Sequence, residues 1–286
     1  MTRIAIILLW LASIGDARAE PAGLVEVIAA ARGADIVLVG EIHDNPAHHL
    51  AQAEIVAALQ PGGLVFEMIP QAREDEVNRL RAAGATREEL AAALDWDESG
   101  WPDFEHYARI LEAAPEARIF GGGQPAEEVR RAAAVGAAEA FGPDAVTFGL
   151  DLPLPEDEQA RREAEMLAVH CDAIPAAILP GLVEAQRFRD AALADAARWA
   201  RTISGSSGPV VVIAGSGHVN RLHGAPAMLA VADPSLLVLA VGQFEAARDG
   251  DGDGAFDAYL VAPPAPREDP CAGFDLPVDW DAQGSN

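Results

Sequence analysis

The stretch DIVLVGEIHDNPAHH, residues 35–49, decides the predicted fold. Residues 35–40 are a mainly apolar run bounded by turn residues, the pattern of a strand that is buried on both faces. A polar loop follows, and residues 47–59 then have helical spacing. Pro61 and two glycines end that helix before a second apolar run at residues 64–66. Strand, loop, helix and strand in this order predict a βα unit and therefore a parallel sheet.

Further apolar runs alternate with helical segments along the rest of the chain. Segments of about 70–115 and 155–205 are predicted as helical insertions, the second broken near Pro175 and Pro180. A helix is predicted at residues 126–140. Further strands are predicted at residues 117–121, 145–150, 209–214, 236–244 and 255–261, the last two forming a hairpin around an acidic loop. We therefore predict one α/β domain over residues 20–286, a mainly parallel central sheet flanked by helices, with an inserted helical subdomain.

Polar side chains follow three of the predicted strands. Glu41 and His43 come after the first strand, Glu67 ends the second, and His218 follows residues 209–214 through a Gly-Ser-Gly turn. Ligands of open α/β sheets bind beyond the carboxyl ends of the strands, so these four side chains are expected to meet in one crevice. Carboxylate and imidazole groups ligate divalent metals and also form acid–base pairs. The set Glu41, His43, Glu67 and His218 is thus a candidate metal site or catalytic site.

Structural roles remain alternatives for each of these residues. Glu41 would cap the next helix, His43 would bond a backbone carbonyl, and Glu67 would pair with an arginine. Of His48 and His49, one is expected to face the site, because adjacent helical residues point about 100° apart. Ser216 is a weak nucleophile candidate, since its surroundings lack the G-x-S-x-G pattern. The remaining histidines are interpreted as structural: His106, His170 and His223.

The N-terminal residues have the pattern of a secretory signal peptide. Arg3 precedes a short apolar core, and an Ala-x-Ala pattern predicts cleavage after Ala19, which makes residues 1–19 the signal peptide. The apolar run is shorter than the roughly 18 residues that span a bilayer, and no cysteine follows it for lipid attachment. We expect a soluble periplasmic or secreted protein. In that setting, Cys171 and Cys271 are expected to form a disulfide, with two separate buried thiols as the alternative.

The charge of the chain bears on its partners. Its formal net charge is −25, and all 20 of its basic residues are arginine. A strongly acidic surface repels nucleic acid, so no nucleic-acid partner is expected. The run Asp249-Gly-Asp-Gly-Asp-Gly resembles the start of a calcium loop, but Leu260 occupies the position where that loop requires glutamate. This run is interpreted as a solvated hairpin loop.

Several stretches together resemble the ChaN family of exported, iron-regulated proteins, within the wider Tiki/TraB/erythromycin-esterase superfamily. They are GEIHDNPAHH (40–49), FEMIPQ (66–71), the Trp96 to Tyr107 region, HCDAIPAAILPGLVEAQRFRDAALA (170–194), AGSGHVNRLHGAP (214–226) and DAYLVAPPAPREDPC (257–271). The resemblance implies an α/β core with a helical subdomain, and haem binding, with haems held face to face at a dimer interface. It also implies the superfamily's Glu and His signature, which is associated with hydrolysis, with or without a metal.

The resemblance assigns expected roles to residues of this sequence. Glu41, His43, Glu67 and His218 match the signature and form the expected core. The residues expected to support it are Asp44, His48, His49, Gln186, Arg189 and Asp190. The resemblance does not assign the axial haem ligand, and the candidates are His43, Tyr107, His218 and Tyr259.

Three hypotheses follow for the function. The first is an exported haem-binding protein of iron or haem uptake, with haem, a second copy of the chain and an outer-membrane haem receptor as partners. The alternative is a hydrolase that uses the Glu/His cluster, either through a divalent metal or with His43 as the base. The third is a scaffold that has lost its chemistry, which the cost of keeping buried charges disfavours.

Overall fold

The structure is a computed structural model that describes residues 21–205, 208–247, 254–269 and 271–272. The predicted signal peptide and the aspartates of the run that begins at Asp249 lie outside the described residues. Within the described part, six strands form one sheet in the order β3-β2-β4-β1-β5-β6. All neighbouring strands are parallel, which confirms the α/β prediction. The strands are β1 (Ile36–Glu41), β2 (Gly63–Pro70), β3 (Arg118–Gly123), β4 (Val210–Gly215), β5 (Val238–Phe244) and β6 (Ala258–Val261).

The central strands separate two hydrophobic cores. Alternate side chains of β1 point to opposite faces of the sheet, so that Val37 and Val39 enter one core and Ile36 and Leu38 the other. All four side chains are fully buried. Burial of each such side chain stabilises the fold by about 1.5–3 kcal/mol, which is why an uninterrupted apolar run forms a central parallel strand.

Helices cover both faces of this sheet. The first core is packed beneath α1, α2, α3, α4 and α6, and the second beneath α7, α8, α10 and α11. The segment 70–115 forms α3 to α6 on the α2 side, while 155–205 forms α9 and the long helix α10. The helices are α1 (Leu24–Ala31), α2 (Pro46–Leu59), α3 (Glu74–Ala82), α4 (Arg87–Ala93), α5 (Trp96–Ser99), α6 (Phe104–Ala113), α7 (Ala126–Val135), α8 (Ala137–Phe141), α9 (Glu156–Val169), α10 (Leu179–Ser204) and α11 (Ala225–Ala232).

Both outer strands of the sheet have partners for their backbone groups. On β3, the side chain of Asn78 bonds the N–H and the carbonyl of Ile119, at 2.9 and 2.8 Å. On β6, Pro21 forms a bridge to Tyr259, and the Ala22 N–H donates to the Tyr259 carbonyl at 2.9 Å. Helix α3 and the segment before α1 therefore satisfy backbone groups along the two edges.

Four details differ from the sequence-based expectations. Residues 145–150 do not form a strand, because Pro143–Phe148 is a 3₁₀ helix between two glycines with positive φ, 84° at Gly142 and 70° at Gly149. The predicted helix 126–140 is interrupted at Gly136, where φ is 94°. Pro180 does not break a helix; it lies in the first turn of α10, where no N–H is needed. Strands β5 and β6 are parallel and not a hairpin, so their connection must cross back along the sheet.

The predicted disulfide between Cys171 and Cys271 is present. Cys171 lies just after α9, so the bond attaches the end of that helix to the C-terminal segment. That segment also passes the loop after β1, where the side chain of Asn45 donates to the Pro263 carbonyl at 3.0 Å. In the described part of the chain, no helix is both long enough and apolar enough to cross a bilayer.

Candidate functional site

The four predicted core residues meet at the carboxyl edge of the three central strands. Strand β4 lies between β2 and β1, and its last residue, Gly215, is paired in register with Glu41. On the other side, the Gly215 N–H donates to Oε2 of Glu67 at 2.7 Å. A Cβ atom added to Gly215 would lie 3.0 Å from Nε2 of His43 and 3.6 Å from Oε2 of Glu67. The two carboxylates and His43 thus surround the end of β4, as expected for a crevice beyond parallel strands.

Glu41 is the most heavily bonded carboxylate of the site. Its Oε1 accepts from the hydroxyl of Tyr107 at 2.7 Å and from Nδ1 of His43 at 2.8 Å. Its Oε2 accepts from Nε2 of Gln52 at 2.8 Å and lies 3.5 Å from Nδ1 of His49. Glu41 is only 2% exposed, so these donors replace the water that an ionised carboxylate needs.

His43 is oriented by Glu41 and remains accessible. A carboxylate can only accept, so Nδ1 of His43 carries the proton in this bond and Nε2 is left with a lone pair. The side chain is 36% exposed and lies edge-on to Trp101, with ring centroids 5.0 Å apart. The arrangement is that of an oriented general base or of a metal-ligating imidazole.

Glu67 lies where the regular pairing of β2 ends. Pairing with β4 stops at Phe66, and pairing with β3 is irregular between Phe66 and Pro70. Strand β2 therefore continues three residues beyond the predicted end at Glu67, but the carboxylate faces the crevice at the irregular position. Arg189 from the middle of α10 donates to its Oε1. Burial raises the pKa of Glu67, yet the positive charges of His218, Arg189 and His43 outweigh burial and hold that pKa below its ordinary value.

His218 forms a second carboxylate–imidazole pair. Its Nδ1 donates to Oδ1 of Asp190 at 2.6 Å, and its Nε2 lies 3.5 Å from Oε1 of Glu67. Both residues are buried. Asp190 and Arg189 are adjacent on α10, so this helix supplies a partner to His218 and a partner to Glu67. The site therefore contains two imidazole–carboxylate pairs, Glu41–His43 and Asp190–His218, with the Glu67–Arg189 ion pair between them.

The other predicted supporting residues are divided between the site and its surroundings. Gln186 accepts from Nη1 of Arg189 at 3.1 Å. His49 faces Glu41 and its Nε2 donates to the His43 carbonyl at 2.8 Å, whereas His48 accepts from the Ile42 N–H at 2.9 Å. Asp44 forms an ion pair with Arg267 at 2.6 Å. Ser216, the weak nucleophile candidate, donates from its hydroxyl to the Gln243 carbonyl at 3.1 Å.

A substitution at Gly215 tests the close packing at the end of β4. We expect Gly215→Ala to lower the free energy of unfolding by about 1–3 kcal/mol, because the new Cβ would press on His43 across an already filled gap. Chemical denaturation measures the loss. Gly217→Ala is the matched control, since a Cβ there meets no heavy atom of the described residues within 4 Å. Equal stabilities of the two variants would contradict this packing.

The titration of His43 tests the Glu41–His43 pair. Burial lowers the pKa of His43, but the bond to Glu41 and the charges of Glu67 and Glu41 outweigh it, so the pKa lies above 6.5. The pair's contribution to stability is therefore complete below pH 6.5 and is lost as the pH rises through the raised pKa. NMR titration should show this shift, and Glu41→Gln should reduce it. His48 is the internal control, because burial lowers its pKa.

Comparison with known proteins places this site in a family. Residues 27–229 match the family described as "Haem-binding uptake, Tiki superfamily, ChaN", which is more than half of the chain. The chain belongs to the ChaN family. The family resemblance found in the sequence is therefore confirmed.

Solved structures resemble this chain to different degrees. The structure titled "Cofacial heme binding to ChaN of Campylobacter jejuni" is 20% identical, with a TM-score of 0.63, and covers 83% of this chain and 91% of its own. The type III effector HopBA1 is 15% identical with a TM-score of 0.46, over 89% of this chain and 99% of its own. A Bacillus cereus protein is 16% identical with a TM-score of 0.41, over 80% of this chain and 72% of its own. No curated protein matches the chain.

The predicted divalent-metal site at the strand ends lacks structural support. Within the described ranges, no group of three or more His, Cys, Asp or Glu side chains is placed to hold a metal ion. The physical reason is that the carboxylates already have protein donors: Glu41 has three, and Glu67 has Arg189 and the Gly215 N–H. The guanidinium of Arg189 also places a positive charge where a cation would bind.

The four predicted axial ligands of this ChaN-family chain differ in availability. The hydroxyl of Tyr107 is fully buried and bonded to Glu41, and Tyr259 is buried in β6 against the ring of Phe244. Both nitrogens of His218 face carboxylates. Nε2 of His43 alone among the four has a lone pair near solvent. Among these four side chains, the imidazole of His43 is therefore the most exposed.

A cavity of about 330 Å³ lies beside His218, between α9, α10 and the end of β5. Its walls include Met166, Val183, Phe244 and Phe256, and its size is typical of small-molecule sites, about 300–1,000 Å³. His223 also lines this cavity, and its Nε2 is buried without a hydrogen-bond partner. The sequence analysis interpreted His223 as structural. The only available signal was its position five residues after His218 in the same loop.

Proposed function

We propose that this ChaN-family chain is an exported haem-binding protein of haem uptake. The observation that carries the proposal is the 330 Å³ cavity at the carboxyl edge of the sheet, where aromatic and aliphatic walls lie beside two imidazoles. A haem site needs an apolar slot, an axial donor, and cationic groups for the propionates. The cavity lining contains apolar side chains, two imidazoles and Arg162, whose guanidinium is ion-paired with Glu158. Family membership supports the same ligand.

A haem titration tests the proposal. Purified mature protein should give a saturable Soret shift with haem, and iron-free protoporphyrin should bind more weakly because it offers nothing for an imidazole to ligate. A spectrum that equals free haem at every ratio would refute haem binding. A second groove lies on α4 to α6 and is lined by Glu88, Asp97 and Glu98. No histidine lines this groove, so we do not expect it to bind haem.

Export and partners are further parts of the proposal. The disulfide between Cys171 and Cys271 and the predicted signal peptide support an oxidising compartment. The proposed partners are a second copy of the chain and an outer-membrane haem receptor. Cell fractionation with N-terminal sequencing tests cleavage after Ala19. The molar mass in solution, with and without haem, tests the dimer, and a constant monomer mass would reject it.

Hydrolysis is the second candidate function, favoured by the Glu41–His43 pair. Nδ1 of His43 donates to a buried carboxylate, so Nε2 is free to take a proton from water or from a substrate hydroxyl. Glu41 would then stabilise the imidazolium that forms. This candidate needs no metal.

The activities of wild type and of one variant test the hydrolase candidate. Wild type and His43→Ala are assayed on a panel of esters, amides and peptides. We expect His43→Ala to lose about 10²–10⁴-fold in rate on any substrate that the wild type cleaves, the usual contribution of a general base. Equal rates for both proteins on every substrate would remove the hydrolase candidate. The haem titration of the same two samples is independent of this result.

A further inference from the structure

We infer that Arg267 is a positioning residue for His43, because it fixes Asp44 and with it the loop between β1 and α2. Arg267 lies in residues 262–269, which follow β6 and form neither helix nor strand. The inference concerns the base of the hydrolase candidate and in that respect rests on the proposed function. Its main test needs no substrate, because the state of the His43 ring can be measured directly.

The loop that carries His43 is a short turn. Ile42 to Asn45 connect β1 to α2, and the Asn45 N–H donates to the Ile42 carbonyl at 2.9 Å. His43 and Asp44 are therefore the two central residues of a β-turn. A planar peptide unit joins these two residues, so a displacement of Asp44 tilts the backbone from which the His43 side chain extends.

Arg267 joins this turn to the end of the neighbouring strand β5. Its Nε donates to Oδ2 of Asp44 at 2.6 Å, and its Nη1 donates to Oε2 of Glu245 at 2.7 Å. Its Nη2 donates to both carboxylates, at 2.7 Å to Oδ1 of Asp44 and at 2.6 Å to Oε1 of Glu245. Glu245 directly follows β5, which pairs with β1. The whole guanidinium is thus used in two bidentate contacts across the ends of adjacent strands.

The two carboxylates would repel each other without this arginine. Asp44 and Glu245 each place an oxygen against the same nitrogen of Arg267, so their negative charges lie close together. Arg267 is 27% exposed, and exposed ion pairs generally contribute little, but bidentate contacts within a network are the exception. Removal of the guanidinium would replace attraction by repulsion and push Asp44 away from Glu245.

A second residue of the turn contacts the same C-terminal segment. The side chain of Asn45, which is only 1% exposed, donates to Oε1 of Glu245 at 2.7 Å and to the Pro263 carbonyl at 3.0 Å. Glu245 also accepts from the Ala265 N–H at 2.9 Å. The C-terminal segment therefore holds the turn at two successive residues.

Nitrogen NMR of the imidazole rings tests the inference, at a pH high enough for the His43 ring to be neutral. The bond to Glu41 keeps the ring proton on Nδ1, so the two ring nitrogens should have well-separated resonances. We expect Arg267→Met to bring these resonances closer together, because a displaced ring exchanges between its two tautomers. Arg267→Lys should give an intermediate separation, since an ammonium keeps the charge but lacks the fork. Any hydrolysis by the wild type should fall by up to about 100-fold in kcat in Arg267→Met, the scale of loss for a misplaced group.

Arg87→Met is the matched control. Arg87 also joins two carboxylates, since its Nε and Nη2 donate to Glu112 at 2.6 and 2.5 Å and its Nη1 donates to Glu105. It lies on α4 and is 38% exposed, and both of these carboxylates lie on α6 and not on the turn. We expect the His43 resonances to keep their wild-type separation in this variant.

The outcomes separate this inference from the hydrolase candidate. An unchanged separation in Arg267→Met would overturn the inference, and so would an equal change in Arg87→Met, which would mean general loosening of the fold. If Arg267→Met fails to fold, Arg267→Lys decides: a narrowed separation supports the inference and the wild-type value refutes it. A wild type that cleaves nothing, together with a narrowed separation in Arg267→Met, would remove the hydrolase candidate and support the positioning role.

Discussion

Arg189→Met is expected to destabilise the protein by about 3–5 kcal/mol, the cost of leaving a buried charge without its partner. Glu67 is 4% exposed, and Arg189 is its arginine partner. His218 and the Gly215 N–H remain in the variant, but Arg189 is the charged group that bonds Oε1 directly. Urea denaturation of wild type and variant at pH 7 measures the difference.

The pH dependence of this effect has a definite sign. The pKa of Glu67 is held below its ordinary value of 4.5, so its pairing stabilises the fold above pH 4.5 and is lost as the pH falls through the lowered pKa. The difference between wild type and Arg189→Met should therefore shrink in acid. Adding Glu67→Gln to Arg189→Met should recover about 2 kcal/mol, because a neutral amide needs no counter-charge.

A surface arginine provides the control. Arg109 pairs with Glu105 at 3.1 Å and is 49% exposed, so Arg109→Met should change the stability by at most about 0.5 kcal/mol. If Arg189→Met were as mild as Arg109→Met, the Glu67–Arg189 pair would not be the main electrostatic support of the crevice.

The second large effect is expected from the disulfide. Cys171 and Cys271 are separated by 100 residues, and closing a loop of that length restricts the unfolded chain strongly. The Cys171→Ala/Cys271→Ala double variant should lose about 2–4 kcal/mol of unfolding free energy. Thermal and urea denaturation measure this loss. Wild type in reductant should behave like the double variant, and an unchanged midpoint in reductant would contradict the prediction.

The disulfide also bears on the 330 Å³ cavity beside His218. It fixes the segment just after α9, and α9 contributes Arg162, Met166 and Val169 to the cavity wall. Without the bond, the end of this helix would be held by its packing on α10. We therefore expect the double variant to bind haem more weakly than the oxidised wild type even at a temperature where both are folded.

The central part of the fold was predictable because its cause is local. In β1 an apolar run buried on both faces leaves little choice but a central parallel strand, and the following loop and helix are equally regular. The prediction of a strand at residues 145–150 was wrong because Gly142 and Gly149, which have positive φ, lie on both sides of a similar apolar run. The parallel pairing of β5 and β6 was missed because a short acidic connection resembles a hairpin in sequence.

The site was predictable only in part. Glu41, His43, Glu67 and His218 follow apolar strands, and the parallel sheet makes their convergence a geometric consequence. An arginine partner for Glu67 was one alternative, and Arg189 was among the expected supporting residues. The pairing of these two residues was not predictable, because Arg189 lies 122 residues away and reaches the crevice only through the packing of α10. His223 carries no pattern of its own, and its 3.4 Å contact with Oε2 of Glu165 is visible only in the folded chain.

The occupied edges of the sheet restrict how this protein can assemble. Sheets with free edge strands associate by adding a strand from another molecule, which is a common route to dimers and to fibres. Here Asn78 takes both backbone groups of Ile119 on β3, and the segment at Pro21 and Ala22 lies along β6. The second copy proposed as a partner would therefore meet the helical faces or the carboxyl edge of the sheet.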